Sequence, residues 1–232
     1  MFVFCQRSVF SIAFVIKFVK LITLQMYFRF SVLRGLFLGQ EGFGVVKPEI
    51  RVLGVDDGGF VPRSQDQVLV VGVVFRGGYW LDGVMHTEIV VDGFDATQKI
   101  SVMVTGSSHY AQLRVLMLNG ITFAGFNVVD IKELNALTEL PVVAVTRQKP
   151  DLARIHEALR NLPKSEERWK AVLNAGELTE VSTRHEGVKI YLHVAGISLD
   201  DAERIVRLTS TRSSIPEALR VAHLVASGIS HL

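Results

Sequence analysis

Residues 50–91 read IRVLGVDDGGFVPRSQDQVLVVGVVFRGGYWLDGVMHTEIVV. Ile50 to Asp56 is a short apolar run that ends in acid and glycine, which predicts a buried strand. Gly58-Gly59-Phe60-Val61-Pro62 then turns the chain. Gln67 to Arg76 is a second apolar strand, stopped by Gly77-Gly78. Trp80 to Val91 alternates with period 2, the pattern of a half-buried antiparallel strand. Three strands joined by tight links predict an antiparallel meander.

Downstream the character changes. Asp95 reads as the N-cap of a helix whose apolar face carries Ile100, Met103 and Val104. Leu113–Leu118 and Pro141–Val145 are continuous apolar strands, and Ala124–Leu137 between them reads as helix. Strand, helix and strand of this length predict a parallel unit with a right-handed crossover. Asp151–Leu162 and Pro163–Ala175 read as amphipathic helices, with Pro163 at the first helical position. Glu177–Ser182 and Val188–Val194 predict a strand pair. Ser198–Leu208 and Pro216–Ser227 close the chain as helices, the first opened by a capping-box variant, Ser198 with Asp201. The sum is an α/β domain: a mixed sheet with an antiparallel three-strand start, then parallel strands, flanked by helices. That order is the signature of a ribonuclease H-like fold.

The chain has 232 residues, 49% hydrophobic, with 25 basic and 23 acidic side chains. Its length suits one domain, and its charged fraction of 21% excludes global disorder. A single cysteine, Cys5, excludes an internal disulfide and a thiolate metal cage. The first 40 residues hold five basic side chains and no acid, so residues 41–232 carry 20 basic against all 23 acidic ones, a net of −3. Val9–Phe30 is apolar, but Lys17 and Lys20 interrupt it, each costing about 2.5–3.5 kcal/mol at the centre of a membrane helix. No small-residue cleavage site follows. Residues 1–45 are therefore read as a basic hydrophobic extension from a mis-assigned start, since valine codons include GTG and Val46 opens the domain. A membrane anchor and an ordered extra helix are the alternatives. The domain is residues 46–232, and its expected location is the cytoplasm.

Phosphate and nucleophile motifs are missing. Gly72–Gly77 lacks the Lys-Ser/Thr of a phosphate-binding loop, and Gly39–Gly44 neither follows a strand nor opens a helix. The sequence contains no G-x-S-x-G and no H-E-x-x-H, and the seven histidines show no ligand spacing. The acids are more informative. Asp56 and Asp57 end the first strand, and Asp92 and Asp95 lie where the third strand exits into a helix. If the first and third strands flank a central one, these carboxylates converge on one sheet edge. Clustered carboxylates suit Mg²⁺ or Mn²⁺, which can activate water for phosphate displacement. Asp57-Gly58, Asp92-Gly93 and Asn119-Gly120 also read as turn pairs, and Asp130 as a solvated helix position. Arg147 could hold a phosphate, or be a surface charge. Phe60, Phe94 and Phe126 each neighbour a glycine at a strand exit, where they could stack on a base or pack in the core.

The stretches KPEIRVLGVDDG (47–58), VVGVVFRGG (70–78), DGVMHTEIVVDGFDAT (82–97), LRVLMLNGITFAGFNVVDI (113–131), LPVVAVTRQKP (140–150) and SIPEALRVAHLVASGI (214–229) resemble the archaeal endonuclease dU family, which is related to endonuclease V. The resemblance implies a ribonuclease H-like fold. It also implies Mg²⁺- or Mn²⁺-dependent cleavage of DNA near a deaminated base, deoxyuridine by the family's name, single strands included. It matches Asp56 to the first-strand metal aspartate and Asp95 to the second acid. Asn119 stands where endonuclease V has its third acid, and Arg147 where it has a lysine. Gly196-Ile197-Ser198 lacks the family histidine, for which His193 is a partial substitute.

The expected catalytic set is Asp56, Asp57, Asp95, Asn119 and Arg147. The expected metal ligands are Asp56, Asp57, Asp92 and Asp95. Phe94, Gly120, Arg147 and Lys149 are the expected substrate contacts. Basic patches at Arg147 with Lys149, and at Arg160 with Lys164 and Arg168, could meet DNA. Two other functions fit the same residues: a non-catalytic nucleic-acid-binding protein, motivated by Asn119 and the acidic net charge, and a nucleotide or phosphoryl hydrolase.

Overall fold

The computed structural model describes residues 45–64, 66–185 and 187–230. The basic hydrophobic extension lies outside the described residues up to Gly44, and so does the glycine-rich Gly39–Gly44. Among the described residues, no helix is long and apolar enough to cross a membrane.

The three strands of the opening stretch form as read: β1 (Arg51–Asp57), β2 (Gln67–Arg76) and β3 (Trp80–Val90). They are antiparallel neighbours, with Asp57 opposite Val70 and Val68 opposite Ile89. Helix α1 (Ala96–Thr105) then carries the chain to β4 (Val115–Asn119), which pairs parallel with β1. A short hairpin of β5 (Thr122–Phe123) and β6 (Asn127–Val128) precedes α2 (Ile131–Thr138) and β7 (Val142–Thr146), parallel to β4. Two helices, α3 (Leu152–Leu159) and α4 (Ser165–Asn174), lead to the antiparallel pair β8 (Thr179–Ser182) and β9 (Lys189–Ala195). Helices α5 (Leu199–Thr209) and α6 (Glu217–Ile229) finish the described chain. The seven-stranded sheet has the order β3-β2-β1-β4-β7-β9-β8.

Two apolar layers clothe this sheet. Leu53, Val55, Ile100, Val104 and Leu134 pack on one face, and Val52, Val73, Ala218, Leu219 and Ala222 on the other. Because both faces are covered, β1 and β4 read as continuous apolar runs and lack alternation.

Helix α6 lies unusually close to β1. A Cβ placed on Gly54 would sit 2.3 Å from the backbone carbon of Ala218, and one on Gly58 would sit 1.9 Å from the Ser230 hydroxyl. Ala218, Ala222 and Ala226 supply the matching small face on the helix. Along this face of β1 the sequence is Gly54, Asp56, Gly58, so Asp56 is the one side chain between two contacts that only glycine permits.

Two readings need correction. The helix expected from Ala124 starts only at Ile131, with Asp130 accepting from the Lys132 and Glu133 amides at 3.0 and 3.1 Å. Upstream, Ala124 (φ 43°) and Gly125 (φ 87°) are both left-handed, which breaks a helix and closes the β5–β6 hairpin. Pro163 is not the first residue of α4, because Lys164 follows it with φ 55° before the helix begins. The Ser198 cap is present: its hydroxyl accepts from the Asp201 amide at 3.2 Å and donates to its carboxylate at 2.9 Å.

Gly54→Ala is expected to lower the thermal midpoint. Forcing a methyl into a close-packed contact costs about 1–3 kcal/mol, and each kcal/mol moves the midpoint by roughly 2–4 °C in a chain of this size. Calorimetry on the variant checks this, and an unchanged midpoint would refute the close contact of α6 with β1.

Candidate active site

Asp56 is 2% exposed, and its carboxylate is fully engaged. Oδ1 accepts from the Asp57 amide at 3.0 Å. Oδ2 accepts from Asn119 Nδ2 at 2.9 Å and lies 2.9 Å from His223 Nδ1. The neighbouring strand places Asn119, since β4 runs parallel to β1 with Leu118 opposite Val55. The close approach of α6 places His223. With Asp56 ionised and the ring neutral, Nδ1 carries the hydrogen and Nε2 is left as an acceptor. The His223 side chain is 58% exposed, so this pair reaches from the core to solvent.

Burial pushes the Asp56 carboxyl up to about 6, and the charge of Asp57 adds to the rise. The hydrogen bonds from Asn119 and the Asp57 amide oppose it, as does His223. Burial also raises Asp57, against the Ala124 amide that binds its carboxylate.

Successive side chains of a strand face opposite sides. Asp56 turns toward α6, and Asp57 toward the β5–β6 hairpin, where Oδ2 accepts from the Ala124 amide at 2.6 Å. Asp92 grips the same turn. It is left-handed (φ 50°), its amide donates to Ala124 O at 2.9 Å, and its Oδ1 accepts from the Phe126 amide at 2.8 Å. Asp95 occupies the N-cap position of α1 without capping it. Its Oδ1 accepts from Asn127 Nδ2 at 2.7 Å and from the Val90 amide at 3.2 Å, and Asn127 Oδ1 takes the Ala96 amide instead. The exits of β1 and β3 do share one sheet edge, flanking β2.

Among the described residues, no group of three or more His, Cys, Asp or Glu side chains is arranged to hold a metal. Asp92 and Asp95 therefore do not join Asp56 and Asp57 in a four-carboxylate cage. The remaining donors are two adjacent carboxylates that repel each other, and the carbonyl oxygen of Asn119, whose amide nitrogen serves Asp56. That set fits Mg²⁺, which is commonly bound by one or two carboxylates, waters and substrate phosphates.

A cleft of about 660 Å³ opens beside this centre, lined by Asn119, Thr146, Arg147, Arg220 and His223 among others. Arg147 is thus brought to Asn119 and His223. Gly120 is left-handed (φ 81°) and ends β4, its amide donating to Val145 O at 3.0 Å. Lys149 is exposed, and its charge acts on Glu180 at the far end of the sheet. His193 is buried in β9, two strands from β4, and its Nδ1 has no partner among the described residues. Burial lowers its pKa.

A larger cavity of about 1040 Å³ lies beyond Asp57, with Phe60, Phe94, Phe126, Asp92 and Arg168 in its wall. The three phenylalanines, read separately from three strand exits, meet here. Arg168 is 2% exposed and is no part of a DNA-facing patch. Its guanidinium donates to the carbonyls of Pro163, Gly93, Phe126 and Asp92 at 3.1, 2.9, 2.5 and 2.5 Å. It also lies 3.8 Å from the centroid of the Phe94 ring. Burial lowers its pKa, against the charge of Asp92.

Sequence reading missed His223 and the role of Arg168. The signal for the first was present: Gly54 and Gly58 on either side of Asp56 announce a backbone packed on that face, and the Ala-rich helix carries one histidine. Arg168 carried no such signal, because its partners are carbonyls from three separate loops.

A sequence model of the family described as endonuclease dU matches residues 48–230. A UPF0215 protein of Methanosarcina acetivorans is 54% identical over 79% of this chain and 92% of its own. One from Methanothermobacter thermautotrophicus is 53% identical over 82% and 92%. The crystal structure of an Archaeoglobus fulgidus protein of unknown function is 41% identical, covers 78% of this chain and 98% of that one, and superposes with a TM-score of 0.70. Endonuclease V of Bacillus subtilis shares the fold at 12% identity, with a TM-score of 0.56 over 89% and 91% of the two chains. Endonuclease V of Ciona intestinalis, solved with a 24mer DNA containing an inosine followed by a ribo-adenosine, does so at 14% identity and 0.52 over 86% and 94%. The opening strands, the central buried aspartate and the archaeal relatives thus lead to one conclusion: the chain belongs to the endonuclease dU family, on the ribonuclease H-like fold of endonuclease V.

Proposed function

We propose that this chain is a divalent-metal-dependent endonuclease that cuts DNA at a deaminated base, deoxyuridine in the first instance. The observation that carries the reading is the Asn119–Asp56–His223 cluster, a buried carboxylate tied to an exposed imidazole at the mouth of a cleft that also holds Arg147. Asp56, Asp57 and the Asn119 carbonyl would hold Mg²⁺ or Mn²⁺. When bound, such an ion polarises a phosphate and lowers the pKa of water.

The chain's own groups have separable roles. Asp56 fixes the His223 ring and its tautomer, so that Nε2 can accept a proton from water or return one to the leaving oxygen. Arg147 meets the phosphate with its planar fork. Unlike a lysine it stays charged, so it can hold the phosphate but not shuttle a proton. The aromatic cavity supports the lesion half of the reading, because ring faces stack on any base. The presence of DNA in the related Ciona complex supports DNA as substrate.

A second reading keeps the fold without the chemistry. Both Asp56 oxygens already have partners, and Asn119 is neutral, which favours a non-catalytic nucleic-acid-binding protein.

With Mg²⁺, the wild-type chain should nick a uracil-containing strand, and Asp56→Asn should not. Nicking by the variant, or none by the wild type, overturns the reading. The same variant separates stability from function. Because folding raises Asp56 from 3.8 to about 6, the folded state binds more protons than the unfolded one in that window. Stability should therefore fall as pH climbs from 4 to 6, by at most roughly 2–3 kcal/mol at about 1.4 kcal/mol per pKa unit. Asp56→Asn should lose this fall and be the more stable protein at pH 7.5 without metal. Mg²⁺ should stabilise the wild type at pH 7.5 by about 2.7 kcal/mol at a hundred times its Kd, raising its midpoint, and leave the variant unmoved. Thermal melts with and without the ion read both.

A further inference from the structure

Asp92 was expected among the metal ligands, yet it lines the aromatic cavity. Its geometry is that of a fixed acceptor. Oδ1 is held by the Phe126 amide at 2.8 Å. Its backbone is locked at φ 50° and tied to Ala124 O. The charge of Arg168 lies beside it, while the guanidinium itself is committed to backbone carbonyls. Among the described residues, no donor reaches Oδ2. One carboxylate oxygen is therefore pinned and the other is left to a ligand, in a cavity walled by Phe60, Phe94 and Phe126.

What such an oxygen selects follows from the chemistry of deamination. Cytosine presents N3 as an acceptor, and its deaminated product, uracil, presents N3–H as a donor. Adenine N1 becomes hypoxanthine N1–H in the same way. An ionised carboxylate is acceptor-only, so it bonds the product's ring N–H and faces the parent's lone pair with its own. Leaving that pair unmatched costs the affinity of a charged hydrogen bond, about 10- to 100-fold. Thymine and guanine carry the same N–H, and Asp92 does not separate them. They are kept out because a base in a matched pair costs more to extrude than a mismatched one.

Resting on the endonuclease reading above for the lesion, we infer that Asp92 is a specificity-determining residue: its free carboxylate oxygen accepts the ring N–H that deamination creates, in the cavity of Phe60, Phe94 and Phe126. At about 1040 Å³, the cavity matches the upper end of small-ligand pockets, roughly 300–1,000 Å³, and admits one base with its sugar and water.

The test is binding of the full chain, in EDTA, to single strands that differ only in one central base: uracil, cytosine or N3-methyluracil. Wild type should bind the uracil strand about 10- to 100-fold more tightly than the other two. In Asp92→Asn the Phe126 amide holds the side-chain oxygen, which turns Nδ2 toward the base. That group donates, so the preference for uracil over cytosine should vanish or reverse. Asn is among the residues that tolerate positive φ, and an unchanged thermal midpoint confirms that the variant folds. Equal binding of uracil and N3-methyluracil by wild type, or an undiminished uracil preference in Asp92→Asn, overturns the inference. EDTA keeps cleavage out of this measurement. A wild type that nicks with Mg²⁺ but shows no uracil preference, or a preference that Asp92→Asn leaves intact, retires Asp92 alone. The converse result retires the nuclease and leaves Asp92 standing.

Discussion

The packing of α6 directly on the backbone of β1 is the contact on which the rest of the site depends. Packed layers of secondary structure normally stand about 8–10 Å apart, held off by side chains on both partners. Gly54, Gly58 and the alanine face of α6 remove those spacers. The approach leaves Asp56 as a buried carboxylate at the end of a largely apolar seam. Burial there is what raises its pKa, and the helix that buries it also delivers His223 to the same oxygen.

A second constraint organises the opposite side of β1. Arg168 is a buried cation bonded to four carbonyls, and among the described residues no carboxylate side chain is bonded to its guanidinium. Its charge is met by backbone dipoles from the loop after β3, the β5–β6 turn and the start of α4. Asp57 and Asp92 then pin the amides of that same turn. Three elements that share no regular pairing are thereby fixed, and the aromatic cavity is the space they enclose. The acids at strand exits thus differ in what they hold. Asp56 is bonded to Asn119 and His223 of the cleft wall, whereas Asp57, Asp92 and Asp95 each bond a backbone amide, and Asp92 keeps one oxygen in reserve.

Most of the fold was legible in the sequence because period and punctuation carry it. Alternation from Trp80 to Val91 and the apolar runs at 50–56, 113–118 and 141–145 all become strands, and Ser198 caps its helix as its spacing with Asp201 suggests. The hairpin at 122–128 was not legible. Its turn depends on Ala124 in a left-handed conformation that no alanine prefers, held there by hydrogen bonds to Asp57 and Asp92. Of the site, Asp56, Asn119 and Arg147 could be read from strand ends. Arg168 could not, because it acquires its role from carbonyls far away in the chain, whereas His223 was announced only indirectly, by Gly54 and Gly58 on either side of Asp56. Asp92 and Asp95 were read together with Asp56 but bond the Phe126 and Val90 amides, since sequence proximity at a strand exit says nothing of which amide each carboxylate will meet.

The adjacency of Asp56 and Asp57 links these two halves. Consecutive residues of one strand lie about 3.8 Å apart at Cα yet face opposite sides of the sheet. Through Asp56 the strand end meets the cleft of His223 and Arg147, and through Asp57 it meets the turn that walls the aromatic cavity. A cation drawn to this pair would sit where the two compartments join. A nucleotide whose base entered the cavity would then leave its backbone at the strand end, within reach of the cleft. The distance between base recognition and bond cleavage is set, on this view, by a single peptide unit of a central strand. Displacement of β1 by a substitution in the α6 seam would therefore disturb both functions together, whereas changes in the cavity wall would disturb recognition alone.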